Sequence, residues 1–182
     1  ADPTLDEIRA VLAPLIAASA AFDGFSNDAR DEAARSLGID ADVARLAFPG
    51  GARDMVDAWF ASIDRQMADR WPAEKLAALK IRQRITTLVE TRIDLLAPNR
   101  ESLRRALALL ALPTNAPHAA KLGWRAADLM WNLAGDTATD FNHYSKRTIL
   151  GAVYGSTMAV FLNDESEDFA ETRAFLARRI DQ

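Results

Sequence analysis

The stretch from Ser26 to Gly51, SNDARDEAARSLGIDADVARLAFPGG, decides the architecture. Ser26 offers an N-cap oxygen, and Ala33, Ala34 and Leu37 recur behind it at helical spacing. Gly38 stands where a helix closes in the left-handed conformation that a Cβ disfavours. Asp40 caps a second short helix over about 41–47, and Phe48-Pro49-Gly50-Gly51 ends it. Two short helices joined by a tight glycine-containing turn form a helix-turn-helix. Ahead of them Thr4-Leu5-Asp6-Glu7 is a capping box. It opens a first helix with Ile8, Leu12, Leu15 and Ile16 on one face, broken at Asp23-Gly24.

Downstream the periodicity is helical throughout. Met55, Trp59, Ile63 and Met67 line one side of a helix over about 52–69. Pro72 opens a long helix with Leu76, Ile81, Ile85, Leu88 and Leu95 inward, closed by Pro98-Asn99. Helices over about 101–112, from Pro117 to about 134, over 140–162 and over 166–180 follow, with breaks at Pro113–Pro117 and Gly135-Asp136. The expected fold is all-α with about nine helices: residues 1–50 form a three-helix helix-turn-helix unit and residues 51–182 a larger helical bundle. Apolar residues at 49% suit a cored, globular chain, and neither a repeat nor a linker interrupts it.

Composition excludes several functions. Net charge is −4 and there is no cysteine, which removes disulfides, thiolate metal sites and cysteine nucleophiles. Residues 23–47 set Arg30, Arg35 and Arg45 against six carboxylates, a poor footing for contact with phosphates, so no nucleic-acid partner is expected. Asp140 and His143 share a helix face, but a di-metal bundle site needs a second such motif with further carboxylates, and none occurs. Asp140 reads instead as an N-cap. No Gly-x-Ser-x-Gly elbow and no phosphate-cradling glycine loop is present, so the expectation is a protein without enzymatic activity, metal or cofactor.

Met55, Trp59, Ile63, Trp131, Tyr154 and Met158 at helical spacing read first as core, and they equally suit the lining of an apolar pocket. Gly151, Gly155 and Ala159 put small residues on another side of the helix carrying Tyr154, which suits tight packing or a dimer seam.

A longer run is specific. Ala106-Leu107-Ala108-Leu109-Leu110-Ala111-Leu112-Pro113 leads to Asn115 and Pro117, then Asp128, Trp131 and Ala134-Gly135-Asp136. Thr139-Asp140-Phe141-Asn142, Tyr144, Lys146-Arg147, Asp168-Phe169 and Phe175-Leu176 with Arg179 follow in one register. Over roughly Leu5 to Ile180 the chain resembles the ubiquinone-biosynthesis accessory proteins that form the ninth component of the coenzyme Q series.

The resemblance implies a fold similar to TetR-type regulators, with the helix-turn-helix no longer serving DNA. It implies a cavity for an isoprenoid, quinone-like or phospholipid ligand, for which the candidate residues are Met55, Trp59, Ile63, Leu88, Leu110, Trp131, Tyr154 and Met158. It also implies presentation of that ligand to the demethoxyubiquinone hydroxylase through a surface around Asp140, Asn142, His143, Tyr144 and Arg147. Members usually carry tryptophan where this chain has His143, and aromatic anchors are typical interface hot spots. The stretch Asp140 to Arg147 is read as outward-facing. An amphipathic segment that touches membranes often follows the last helix in the family; here the sequence closes at Gln182. Membrane docking is therefore expected to be reduced, or that segment to lie beyond this sequence. The expected partners include a transient membrane contact and a second copy in a homodimer. The place would be the cytoplasmic face of the inner membrane in a bacterium, or the matrix side in a mitochondrion. The other reading is a TetR-type, ligand-responsive transcriptional regulator.

Overall fold

The computed structural model describes residues 2–181, and every regular element among them is helical. Ten α-helices follow in order: α1 (Leu5–Asp23), α2 (Asn27–Ser36), α3 (Ala41–Ala47), α4 (Ala52–Arg70), α5 (Ala73–Ala77), α6 (Ile81–Leu96), α7 (Arg100–Leu110), α8 (Ala116–Leu133), α9 (Phe141–Leu162) and α10 (Ala170–Ile180). Nine have seven residues or more, and α5 has five. Short 3-10 turns cover 97–99, 113–115 and 167–169.

Two compact units are present, Ala1–Ile63 with Asn99–His118, and Asp64–Pro98 with Ala119–Gln182. Residues 1–50 fall in the first unit, which also takes 51–63 and 99–118. Ala1 and Gln182, the outer ends of the divisions 1–50 and 51–182, lie outside the described residues.

In the first unit the caps stand where the sequence places them. Thr4 accepts from Glu7 N–H, Ser26 from Ala29 N–H and Asp40 from Asp42 N–H, while Gly38 takes φ 68° after α2. α1 packs on α2, α3 and α7, and Leu12, Ile16, Phe48, Met55 and Leu103 of this unit are buried completely or nearly so. Each such side chain contributes roughly 1.5–3 kcal/mol by leaving water. Ser102 Oγ–H donates to Ala17 C=O at 2.5 Å, binding α7 to α1. Arg9 lies over the Phe48 ring and donates to Ala47 C=O at 3.1 Å.

In the second unit α9 packs against α6 and α10 around Leu88, Val89, Ile93 and Phe161. The long helix expected from Pro72 is two helices. Pro72 is the N-cap of α5, and the chain turns before α6 restarts after Lys80. The Arg84 guanidinium accounts for the break: it donates to Leu79 C=O at 2.8 Å, Ala77 C=O at 3.2 Å and Ala134 C=O at 2.7 Å. Carbonyls that a helix end leaves unpaired are thus satisfied by a side chain.

The last helix also starts later than its periodicity suggests. Asp168 and Phe169 both hold left-handed backbone, at φ 52° and 55°, and α10 begins only at Ala170. Asp164 stabilises this junction by accepting from Ser166 N–H (2.8 Å), the Ser166 hydroxyl, Thr172 N–H (2.9 Å) and the Thr172 hydroxyl (2.5 Å). Burial disfavours the carboxylate, but these hydrogen bonds outweigh it and hold Asp164 well below the usual carboxylate range. Arg173 ties α10 to α6 through Glu90 at 2.5 Å and Asp94 at 2.9 Å.

Candidate functional site

The site forms where α8 ends. Gly135 takes φ 92°, and Asp136 N–H returns to Trp131 C=O at 2.9 Å, so the chain leaves the helix in a tight reversal. Residues 136–139 then lead to Asp140, which accepts from Asn142 N–H at 3.0 Å and starts α9.

One side chain organises this corner. Arg147 is 1% exposed and reaches four groups at once. Its Nε–H donates to Asp128 at 2.7 Å, Nη1–H to Asp136 at 2.9 Å and to His143 C=O at 3.2 Å, and Nη2–H to Asn132 at 3.1 Å. Lys146 adds a second cation on Asp136 at 2.9 Å, and its backbone C=O accepts the Trp131 indole N–H at 3.1 Å. The Arg147 hydrogen bond leads in lowering the Asp136 pKa; burial opposes it, and Lys146 adds to the lowering. The network therefore keeps Asp136 ionised and fixes the loop to both helices.

An aromatic group stands outside this network. Trp124 approaches His143 (centroids 6.2 Å apart) and Tyr144 (5.8 Å), and His143 meets Tyr144 edge-on at 5.0 Å. Phe141 is 81% exposed and Tyr144 60%. His143 Nδ1 lies 2.9 Å from Ala138 C=O, and a carbonyl only accepts, so Nδ1 carries the proton. A pocket of about 410 Å³ opens between the loop and these side chains, with Thr137, Thr139, His143 and Tyr144 on its rim.

The sequence-derived surface residues therefore separate. Asp140, Asn142, His143 and Tyr144 lie together at the start of α9, with His143 half-buried and the other three exposed. Arg147 is corrected: its guanidinium faces inward to Asp128 and Asp136, so it positions the surface instead of forming part of it. Trp124 is an addition, visible in the sequence only as one more helical aromatic.

The eight residues read as lipid-lining fall four in each unit. Met55, Trp59, Ile63 and Leu110 are buried in the first, where Phe25 packs on the Trp59 ring at 5.8 Å. In the second unit Leu88, Tyr154 and Met158 are buried, and Trp131 is half-exposed. Trp131 borders a separate groove of about 330 Å³ walled by Ile81, Ile85, Ile149, Leu150 and Ile180. Sequence reasoning missed both this groove and a buried ion cluster in which Asp64 receives Arg92 at 2.6 Å and Arg125 at 3.1 Å. An arginine on an amphipathic helix gives no sign that it points inward.

Among the described residues no group of three or more His, Asp or Glu side chains is arranged to hold a metal, and no helix is long and apolar enough to cross a membrane.

Residues 116–182 match the family model described as COQ9. The chain is 34% identical over 163 residues to "Ubiquinone biosynthesis protein COQ9, mitochondrial" of Homo sapiens, covering 86% of this chain and 51% of that protein. The Rattus norvegicus protein of that name is likewise 34% identical, with 86% and 52% covered, and the Xenopus tropicalis protein 34% identical, with 87% and 52% covered. The chain thus spans about half the length of the curated relatives it matches. Among solved structures, a TetR transcriptional regulator from Nitrosomonas europaea superimposes with TM-score 0.74 over 95% of both chains at 22% identity, which shows the fold and nothing of the activity. The chain has the helical fold of that TetR regulator and is similar, over most of its own length, to about half the length of the COQ9 proteins.

Proposed function

We propose that this chain is a non-enzymatic accessory factor of ubiquinone biosynthesis that binds an isoprenoid or phospholipid and presents it to the demethoxyubiquinone hydroxylase. The observation that carries this reading is the surface of Trp124, His143 and Tyr144 held in place by the buried Arg147 network. Exposed aromatics on a rigid support are what a protein interface uses for its anchors. Phe141 and Tyr144 contribute most of the exposed apolar area there. The candidate lipid-lining residues are, within the first unit, Met55, Trp59, Ile63 and Leu110 and, within the second, Leu88, Trp131, Tyr154 and Met158. The protein would work beside the inner membrane, on its cytoplasmic face in a bacterium or its matrix face in a mitochondrion, with transient membrane contact.

A homodimer belongs to the same reading. Gly155 and Ala159 are exposed on α9, and nothing lies within 4 Å of a Cβ built on Gly155. Small exposed residues let a second helix come close. Light scattering coupled to gel filtration measures this directly, and a monomer at micromolar concentration removes the dimer.

The regulator reading fares worse on charge. Arg35 pairs with Glu32, Arg45 with Asp42, and Arg30 with Asp31, so the helix-turn-helix cations are engaged by carboxylates of the same segment. Salt-dependent, nanomolar DNA binding in a mobility shift would reverse that ranking.

Native mass spectrometry of protein taken from cells tests the main reading. Isoprenoid or phospholipid adducts are expected; protein that carries none, and that does not retain the hydroxylase on a column, sinks it.

A further inference from the structure

Arg92 lies on α6 and is 1% exposed. Its Nη1–H donates to Asp64 Oδ1 at 2.6 Å and comes within 4.0 Å of the Met67 sulfur. One face of the guanidinium rests on the Tyr154 ring, with Cζ 5.0 Å from the centroid. Burial alone would lower its proton affinity; Tyr154 and Asp64 outweigh this, and the group stays cationic. Its Nε–H, however, finds no hydrogen-bond partner among the described residues.

That combination is unusual. Buried donors are nearly always satisfied, and a guanidinium donor is the most costly kind to leave unmade. The neighbours leave that one edge unmatched: Met67 offers a weak thioether acceptor, and Tyr154, which hydrogen-bonds the guanidinium through its side chain and stacks on it, does not reach Nε. Met67 is also unbranched, and such a side chain repacks around an incoming group.

We infer that Arg92 is a ligand-binding residue whose Nε–H takes an oxygen acceptor on the polar end of an otherwise apolar molecule. The inference rests on the lipid-binding reading and adds the polar anchor that such a ligand would use. Asp64 holds the guanidinium in plane through Nη1, and Tyr154 supports one face. The free Nε–H edge then meets either a carboxylate or a ring carbonyl. A cation favours the former on charge, and a flat ring beside the Tyr154 face favours the latter on shape.

The test uses the whole chain labelled with nitrogen-15, with the Arg92 Nε–H resonance assigned through bonds from its backbone. Sodium decanoate supplies a carboxylate on an apolar tail, and a decyl-substituted benzoquinone supplies a carbonyl on a similar one. Saturation with one of them is expected to move the Arg92 Nε–H proton downfield. Arg92→Lys keeps the charge facing Asp64 but lacks Nε, and it should weaken that probe about tenfold. A probe that binds while the Nε–H resonance stays in place overturns the inference and leaves the lipid reading standing. Failure of both probes to bind also overturns it, and native mass spectrometry of cell-derived protein then decides the lipid reading separately. If Arg92→Lys does not fold, the wild-type spectrum decides alone.

Discussion

Arg147 Nη1 meets Asp136 Oδ2 at 2.9 Å with the two side chains only 1% and 7% exposed. Asp136 belongs to the loop after α8, and Arg147 lies in the second turn of α9. The pair therefore closes the loop against the helix that the loop leads into, and Asp128 joins it to α8 at 2.7 Å.

Removing the cation leaves two carboxylates with their main partner gone. Arg147→Ala should cost about 3–5 kcal/mol of unfolding free energy, as broken buried pairs do. Urea denaturation reads the loss. Amide exchange over 135–140 should rise more than exchange in α6. A variant as stable as the parent would remove Arg147 from its organising role.

The junction before α10 makes the protein acid-sensitive. Asp164 has a folded pKa below its unfolded one, so its contribution is complete above the unfolded value near 4 and declines as pH falls through the folded value. Asp164→Asn should cost about 2 kcal/mol at neutral pH. The gap between parent and variant should narrow as pH drops from about 5 toward 2. Unfolding curves that keep a constant separation across that range would contradict the assignment.

Tyr144 is 60% exposed, so its loss should leave stability nearly unchanged. Tyr144→Ala is expected to move unfolding free energy by less than about 0.5 kcal/mol. Under the proposed function it weakens hydroxylase association by about 2 kcal/mol while lipid load and helicity persist. Surface plasmon resonance with the immobilised enzyme measures the affinity; equal affinities would move the interface elsewhere.

His143→Trp gives the opposite sign. An indole enlarges the apolar area beside Trp124 and Tyr144, and hydroxylase binding should tighten by about tenfold. It also removes the hydrogen bond to Ala138 C=O, so exchange in the 137–139 loop should quicken. Weaker binding by this variant would show that the imidazole itself is what the partner reads.

The fold was legible wherever a local device sets it. Thr4, Ser26, Asp40 and Asp140 all cap as their positions suggest, because an N-cap bond joins residues two or three apart. What escaped reading depends on distant partners. The interruption between α5 and α6 needs Arg84 to reach Ala134, fifty residues on, and no periodicity encodes that. The late start of α10 needs Phe169 to turn its ring onto Phe161 at 4.9 Å, against the ordinary backbone preference of both Asp168 and Phe169.

The candidate site shows the same division. Asp140 to Tyr144 could be placed on a helix start from sequence alone, and the resemblance drew attention to them. Arg147, one turn past His143, has the same helical phase and looks equally outward; only Asp128 and Asp136 draw it in. Arg92 was invisible for a similar reason, since its burial is set by Asp64 and Tyr154 on two other helices.

Arg84 has a mechanical meaning beyond the break it explains. It sits on α6 two turns ahead of Arg92, and its Nη1 holds Ala134, the residue from which the loop with Asp136 departs. Leu88 and Arg92 stand further along that same rod. The helix is thus fixed near its start to the root of that loop. Under the proposed function, a molecule seated against Leu88 would lie on the same helix that Arg84 pins to the root of the corner carrying Tyr144.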